Sequence, residues 1–376
     1  MHTNNLNKGF EIELFTGTFT SHIGVSSQIE KKFSNFVNEP DNRNVEYITQ
    51  PSKDYKILYY SLLQPRKDLR RWLEELNLTI IPSSTLCFPH QNKFQRSDQS
   101  NNYHDFIESN YGLSIATSSV HINLGIEDLD RLFAAIRLIR CEASLFLALS
   151  ASSPFLNGKL TGNHSQRWLQ FPKTPNEIPF FLDHRHYINW IEQNINNGTM
   201  QNVRHFWSSV RPNGPKRPYG LDRLELRICD FVSNIELLLA ITAFLELRVI
   251  SLFNDLENLD PLLSSKFSTD ELIGICDQNE LKVSKNSLNA ELIHWKSGDV
   301  IICKEWIQNL LMELSSSSRI LKMNHFLEPI HKVLEEGNES MKWINEYNQG
   351  LSVEDIMRSA INNMIKNEDE NNLWFK

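Results

Sequence analysis

Glu11 and Glu13 flank Ile12, Asn44 and Glu46 flank Val45, His121 and Asn123 flank Ile122, and Glu225 and Arg227 flank Leu226. On a β-strand, residues two apart point to one side. Each segment therefore presents a pair of charged or hydrogen-bonding groups on one face and an apolar residue on the other. An ordinary antiparallel sheet with one wet face alternates in the same way. The residue types argue for more than wetting. A solvated face mixes Thr, Lys and Glu, whereas these positions hold carboxylates, amides, one His and one Arg. Carboxylate oxygens suit hard cations such as magnesium, which usually takes one or two carboxylates plus substrate phosphates. Arginine supplies the planar fork that matches phosphate or carboxylate. The pattern fits a cavity that holds divalent cations and phosphate.

The elements that must carry these pairs can be read around them. Residues 9–16, 44–49, 113–126 and 221–230 read as strands. Residues 65–77 read as a short helix whose Arg66, Lys67, Arg70 and Arg71 form a solvated face. In 127–150, Leu129, Leu132, Phe133, Ile136 and Ile139 recur at helical spacing. Residues 151–171, rich in Ser, Gly, Asn and Pro, read as a long loop. Residues 179–197 are mostly helical, and 233–253 form a long buried helix. Past about Asp260 come short amphipathic helices, including 318–336 and 352–366, without chemistry of their own. The second opens at Ser352 with Asp355 in the manner of a capping box. Residues 367–376 read as a loose terminus. Strands and helices do not alternate regularly, and there is no GxGxxG or GxxxxGK. A doubly wound sheet is therefore not expected, and any nucleotide must be held another way.

A chain of 376 residues has room for about two domains. Its 40% hydrophobic and 22% charged content allows a large core. A net charge of -8 without a clustered basic face argues against nucleic acid as a partner. The most apolar run, 235–253, contains Glu236, Glu246 and Arg248, which disfavours a membrane span. Residues 1–7 are polar and lack the apolar core of a secretory signal. The cysteines (Cys87, Cys141, Cys229, Cys276, Cys303) are odd in number, scattered and without CxxC. They suggest a reducing, cytoplasmic setting rather than a disulfide framework or a zinc site.

These motifs resemble the glutamate–cysteine ligases of the glutamine-synthetase-like superfamily, in the branch with the cyanobacterial and plant-type enzymes and related carboxylate–amine ligases. Gly9-Phe-Glu11-Ile-Glu13-Leu-Phe15 is similar to the first-strand Glu-x-Glu motif, and Asn44-Val-Glu46-Tyr-Ile-Thr49 to the next acidic strand. Ser119-Val-His121-Ile-Asn123-Leu-Gly125 resembles the central strand, where many relatives have His in place of Asn123. Ser152-Ser-Pro, Gly158, Thr161-Gly162, Ser165 and Arg167 resemble the loop, in which many relatives have Asn-Ser-Pro. Arg217-Pro-Tyr-Gly220 and Leu224-Glu-Leu-Arg-Ile-Cys-Asp230 look like the closing Glu-x-Arg-x-x-Asp strand. The resemblance runs from about Gly9 to Ser251. Stretches such as 39–46 and 198–205 place it nearest the cyanobacterial subgroup.

The resemblance implies an α+β fold, a curved antiparallel β-sheet funnel flanked by helices. It implies a catalytic domain at 1–260 with a helical C-terminal region, 261–376, packed on it. The implied reaction joins the L-glutamate γ-carboxylate to the amine of L-cysteine through γ-glutamyl phosphate, using ATP and Mg2+, as the first step of glutathione biosynthesis. Glu11, Glu13, Glu46, His121 and Glu225 would hold magnesium. Arg227 would lie against the transferring phosphoryl group, and Arg167 would bind a substrate carboxylate or phosphate. Asn123, Ser165, Arg211, Arg217 and Tyr219 would line the substrate and ATP sites. A relative acting on another acid or amine and an inactive regulatory paralogue are the competing readings. A homo-oligomer is left open by the sequence.

Overall fold

The computed structural model describes residues 5–90, 93–98, 100, 102–111, 116–170 and 173–370. The strands are β1 (Lys8–Gly17), β2 (Phe36–Asn38), β3 (Asn44–Ile48), β4 (Thr79–Ile81), β5 (Val120–Gly125), β6 (Phe155–Leu156), β7 (Lys159–Leu160), β8 (Val210–Asn213), β9 (Arg223–Leu226), β10 (Glu291–Ile293) and β11 (Val300–Ile302). The α-helices are α1 (Ser26–Lys32), α2 (Tyr55–Glu75), α3 (Asn102–Tyr111), α4 (Leu129–Ser150), α5 (Gln166–Gln170), α6 (His184–Asn196), α7 (Ile235–Asn254), α8 (Leu256–Leu259) and α9 (Pro261–Ser264). They continue with α10 (Thr269–Asn286), α11 (Cys303–Ile320), α12 (Glu328–Glu336), α13 (Glu339–Asn348) and α14 (Val353–Asp369).

The main sheet is antiparallel, in the order β2-β3-β1-β5-β9-β8, with β4 paired to the end of β1. Phe10, Ile12 and Leu14 of β1 are buried, with Val45, Tyr47, Ile122, Leu124, Leu224 and Leu226 beside them in one core. The residues between them face the other way, and it is their stripe that carries the acidic and basic pairs. This is the α+β architecture expected, with helices on the apolar side.

Two long helices line that side. α4 starts where the Asp128 side chain accepts the Arg131 N–H at 2.9 Å, and α7 where Asn234 accepts the Leu237 N–H at 2.9 Å. Such caps are worth about 1 kcal/mol each. Charged groups inside these helices are paired. Glu246 takes Lys8 Nζ at 3.0 Å and the Tyr55 hydroxyl at 2.7 Å. Arg248 grips Glu142 at 2.9 and 2.6 Å. Among the described residues, no helix is long and apolar enough to cross a membrane. The cysteines are all buried free thiols.

Several elements differ from the sequence expectation. The helix expected at 65–77 begins at Tyr55, with Pro65 inside it. Asp54 caps it, and the buried Tyr55, Leu58, Tyr59 and Leu62 continue the core stripe through the proline. Its Arg66 and Arg70 are not solvated but buried. Arg66 donates to the carbonyls of Ser233 and Val232, and Arg70 to Glu368. The loop expected at 151–171 holds the small hairpin β6-β7 and α5. The fourth polar strand is only Arg223–Leu226, and the third is Val120–Gly125, residues 113–115 lying outside those described. The helical tail includes the hairpin β10-β11. Of the expected loose terminus, 367–369 is helical and 371–376 lies outside those described.

Candidate active site

The register of the sheet brings the polar pairs together. Glu13 stands opposite Glu46, and Glu11 opposite His121. Asn123 stands opposite Glu225, which faces Arg211 on the last strand. The result is one continuous polar stripe across β3, β1, β5, β9 and β8.

Glu11, Glu46 and His121 each offer a ligand atom within 4.8 Å of the others, and so do Glu13, Glu39 and Glu46. Glu46 belongs to both triads. Glu39, which follows the three-residue strand β2, was not anticipated from the sequence. Two residues on from Val37, which stands opposite Glu46, it shares that face, a signal too short to stand out beside a β2 of only Phe36–Asn38. Burial pushes the Glu46 carboxyl well above its usual range, and repulsion from Glu39, Glu11 and Glu13 adds to the rise. Burial and Glu13 do the same to Glu39. Crowding of this kind marks a place where positive charge is wanted.

Further hydrogen bonds hold the stripe. His121 Nδ1 lies 2.9 Å from Glu11 Oε2. The Ser119 hydroxyl donates to Glu13 Oε2 at 2.8 Å and lies 3.1 Å from His121 Nε2. Burial and Glu225 act to raise the Glu11 carboxyl, but the His121 bond and Arg227 prevail and lower it. Asn123 donates to Glu11 Oε1 at 3.4 Å and receives Arg223 Nε at 3.1 Å.

Glu225 has a different environment from the other carboxylates. It is fully buried. Arg211 clasps it at 2.7 and 3.1 Å, Asn213 donates at 2.7 Å, and Arg227 Nη1 reaches its Oε1. Burial works against its charge, yet Arg211 and Arg227 hold it well below the ordinary carboxylate range. It is a member of neither triad, which departs from its expected place among the metal ligands; its charge is spent on orienting arginines. Arg227 faces Glu225 and approaches His121 Nδ1 at 3.4 Å, and its Nε has no hydrogen-bond partner among the described residues.

The remaining expected residues divide. Arg217 is half-buried, its Nη1 enclosed without a hydrogen-bond partner among the described residues, and burial beside Arg211 lowers its pKa to about 10. Arg167 departs from its expected role. It is 1% exposed and donates to the carbonyls of Ile228 and Arg227 at 3.0 Å each, with Asp230 at 3.8 Å. It braces the chain that carries Arg227 instead of reaching a substrate. Ser165 is likewise buried and bonds Asp230 Oδ1 at 2.8 Å. Tyr219 is 62% exposed and donates to Glu192 on α6, away from the stripe.

A cavity of about 640 Å³ opens at the end of the sheet where Glu11 and Asn123 lie. Its walls are apolar at Ile48, Ile126 and Phe253, cationic at Lys53, Arg131 and Arg223, and acidic at Asp128 and Asp222. That volume is typical of small-molecule sites, roughly 300–1,000 Å³. The mixture suits a flat ring, a hydroxylated sugar and a polyanion directed toward the carboxylates.

The sequence model of the glutamate–cysteine ligase family 2 matches residues 10–366. A Sorangium cellulosum protein with the provisional name glutamate–cysteine ligase 2 is 25% identical over 246 residues, 64% of this chain and 62% of that protein. A Legionella pneumophila protein, provisionally glutamate–cysteine ligase 2-1, is 24% identical over 335 residues, 87% of this chain and 85% of its own. Among solved structures, the Francisella tularensis glutamate–cysteine ligase in complex with AMP superposes with a TM-score of 0.75 at 15% identity, covering 98% of this chain and 90% of that one. A bifunctional glutathione synthetase from Pasteurella multocida gives 0.72 at 14% identity, covering 98% of this chain and 53% of its own.

Proposed function

The chain belongs to the glutamate–cysteine ligase family 2, and on that footing we propose that it joins the γ-carboxylate of L-glutamate to the amine of L-cysteine at the expense of ATP. The observation that carries this reading is the pair of triads sharing Glu46, one of three carboxylates and one of two carboxylates with His121, set beside Arg227. The donor set fits a hard cation. Carboxylate oxygens predominate, Glu39 and Glu46 are crowded with negative charge, and His121 Nδ1 and Glu11 Oε2 lie 2.9 Å apart. Glu11, Glu46 and His121 would hold one magnesium ion, and Glu13, Glu39 and Glu46 another. Bound there, magnesium would neutralise the polyphosphate and the charge that develops on it.

The nucleotide would occupy the cavity at Ile48 and Phe253, with its phosphates running toward Glu11 past Arg223. A carboxylate attacking a phosphate brings anion to anion, so the protein's task is positioning and charge compensation. Arg227 is suited to it. Burial works against its charge, but Glu225 and Glu11 keep it cationic, and an Nε donor is unspent. It would face the transferring phosphoryl group. Arg217, with an enclosed unspent donor of its own, would bind a second oxyanion, such as a substrate carboxylate. Attack of the glutamate γ-carboxylate on the terminal phosphorus gives γ-glutamyl phosphate and ADP. The cysteine amine then attacks the acyl carbon, phosphate leaves, and the amine proton passes to solvent or phosphate.

The test is mass spectrometry of products from ATP, magnesium, glutamate and a panel of amines. γ-Glutamylcysteine is expected. A different γ-glutamyl amide would move the acceptor while keeping the reaction class, and absence of any ATP- and glutamate-dependent product sinks the reading. Arg227→Ala should lower kcat by roughly 10²–10³ with the fold intact, the usual effect of losing one preorganised donor.

A further inference from the structure

We propose that Glu246 is a positioning residue for the nucleotide, tying together two walls of its cavity, the N-terminal segment 5–7 and the turn at 51–53. That the cavity takes ATP rests on the function proposed above. The tether itself does not.

Both walls converge on one carboxylate. Glu246 lies within α7 and is 0% exposed. Its Oε1 accepts the Leu6 N–H at 2.6 Å. Lys8 Nζ donates to its two oxygens at 3.1 and 3.0 Å, and to the Lys53 carbonyl at 3.1 Å. The Tyr55 hydroxyl donates to Oε2 at 2.7 Å. Leu6, Asn7, Pro51 and Lys53 all line the cavity, and Glu246 does not. It can act on a ligand there only through the residues it holds.

Stability alone does not call for this cluster. A buried ion pair is often no better than apolar residues of similar volume. What apolar residues would lack is an acceptor for the backbone. Pairing of this end of the chain with the sheet stops at Asn7, whose carbonyl accepts the Gly125 N–H at 2.9 Å. Among the described residues, the bond from Leu6 to Glu246 is the hydrogen bond nearest the N-terminus. On the other wall, Lys8 carries the grip of Glu246 to the Lys53 carbonyl, and Lys8 is itself 0% exposed. One side chain of the core thus sets where both segments stand.

The experiment uses the full chain. An apolar triple variant, Lys8→Met with Tyr55→Phe and Glu246→Leu, removes the tether without leaving a lone buried charge. Glu246→Gln keeps the shape and one acceptor oxygen. Glu368→Ala is the control, since it breaks a buried pair that lines no part of the cavity. Hydrogen exchange should find the Leu6 amide protected in wild type and unprotected in the triple variant. The KM for ATP, and the Kd for ATP with Mg2+ by calorimetry, should rise roughly 2–30-fold, the range for network residues that touch no ligand. The kcat at saturating ATP should hold. Glu246→Gln should show the same changes in smaller measure, and it carries the test if the triple variant does not fold. Glu368→Ala should lose stability with ATP affinity unchanged. A wild-type Leu6 amide that exchanges freely overturns the tether. Unchanged ATP affinity in a variant whose Leu6 is released, or a fall in kcat with KM kept, overturns the positioning role. If the wild type binds no ATP while Leu6 behaves as described, the nucleotide reading fails and the tether stands.

Discussion

Glu39 and Glu46 carry their charges where burial and neighbouring carboxylates resist it. Their folded-state pKa values lie above the unfolded value of 4.5. The native state therefore binds more protons than the unfolded chain, and stability is lost as pH rises from about 4.5 through the raised values. Glu39→Gln removes that burden. We expect the metal-free variant to melt about 2 °C or more above wild type at pH 7, with the difference vanishing below about pH 4.5. Calorimetry across pH checks this; a variant that melts lower at pH 7 contradicts the electrostatic account. At this scale the sequence was informative where strands were long. Glu11, Glu13, Glu46 and His121 showed their common face through period-two spacing. Arg167 did not, because an arginine after a Gly- and Ser-rich loop carries no mark of which side of the chain it will brace.

Among elements, α2 shows how a buried charge joins distant parts of the chain. Arg70 meets Glu368 of α14 at 2.7 and 3.0 Å, with both side chains nearly inaccessible. Glu368→Ala would strand the guanidinium, and breaking one side of such a pair costs about 3–5 kcal/mol. The double change Arg70→Met with Glu368→Leu should cost much less, since no lone charge remains. Urea unfolding of the two variants compares them, and equal losses would point to packing instead of charge. The sequence did not reveal this pairing. Arg66 and Arg70 look like part of a solvated face with Lys67 and Arg71 until α14 and the turn at Val232 and Ser233 are packed on them. Pro65 likewise reads as a helix start, since proline is favoured there, whereas the apolar stripe simply runs through it.

For the whole molecule, one apolar core extends from Phe10 to Met364. α10 packs along α4, and α11 and α12 pack against α7. Removing residues 261–376 would uncover the apolar flanks of both long helices. A fragment ending at residue 260 should therefore bind the dye ANS and be rapidly proteolysed, whereas the intact chain resists; a soluble, cooperatively melting fragment would refute this. The family and the α+β class were legible because short motifs keep their order along the chain. The shared core was not, because amphipathic helices in a tail show an apolar face without showing what it covers.

Glu46 sits at the corner common to both triads, and its single negative charge is counted in each. On the proposed reading, an ion entering one triad leaves the other electrostatically poorer. A second ion would then be welcome chiefly when it arrives with anions of its own, as it does on a polyphosphate. Such a site discriminates a bare ion from one escorted by nucleotide, and it does so with no moving part.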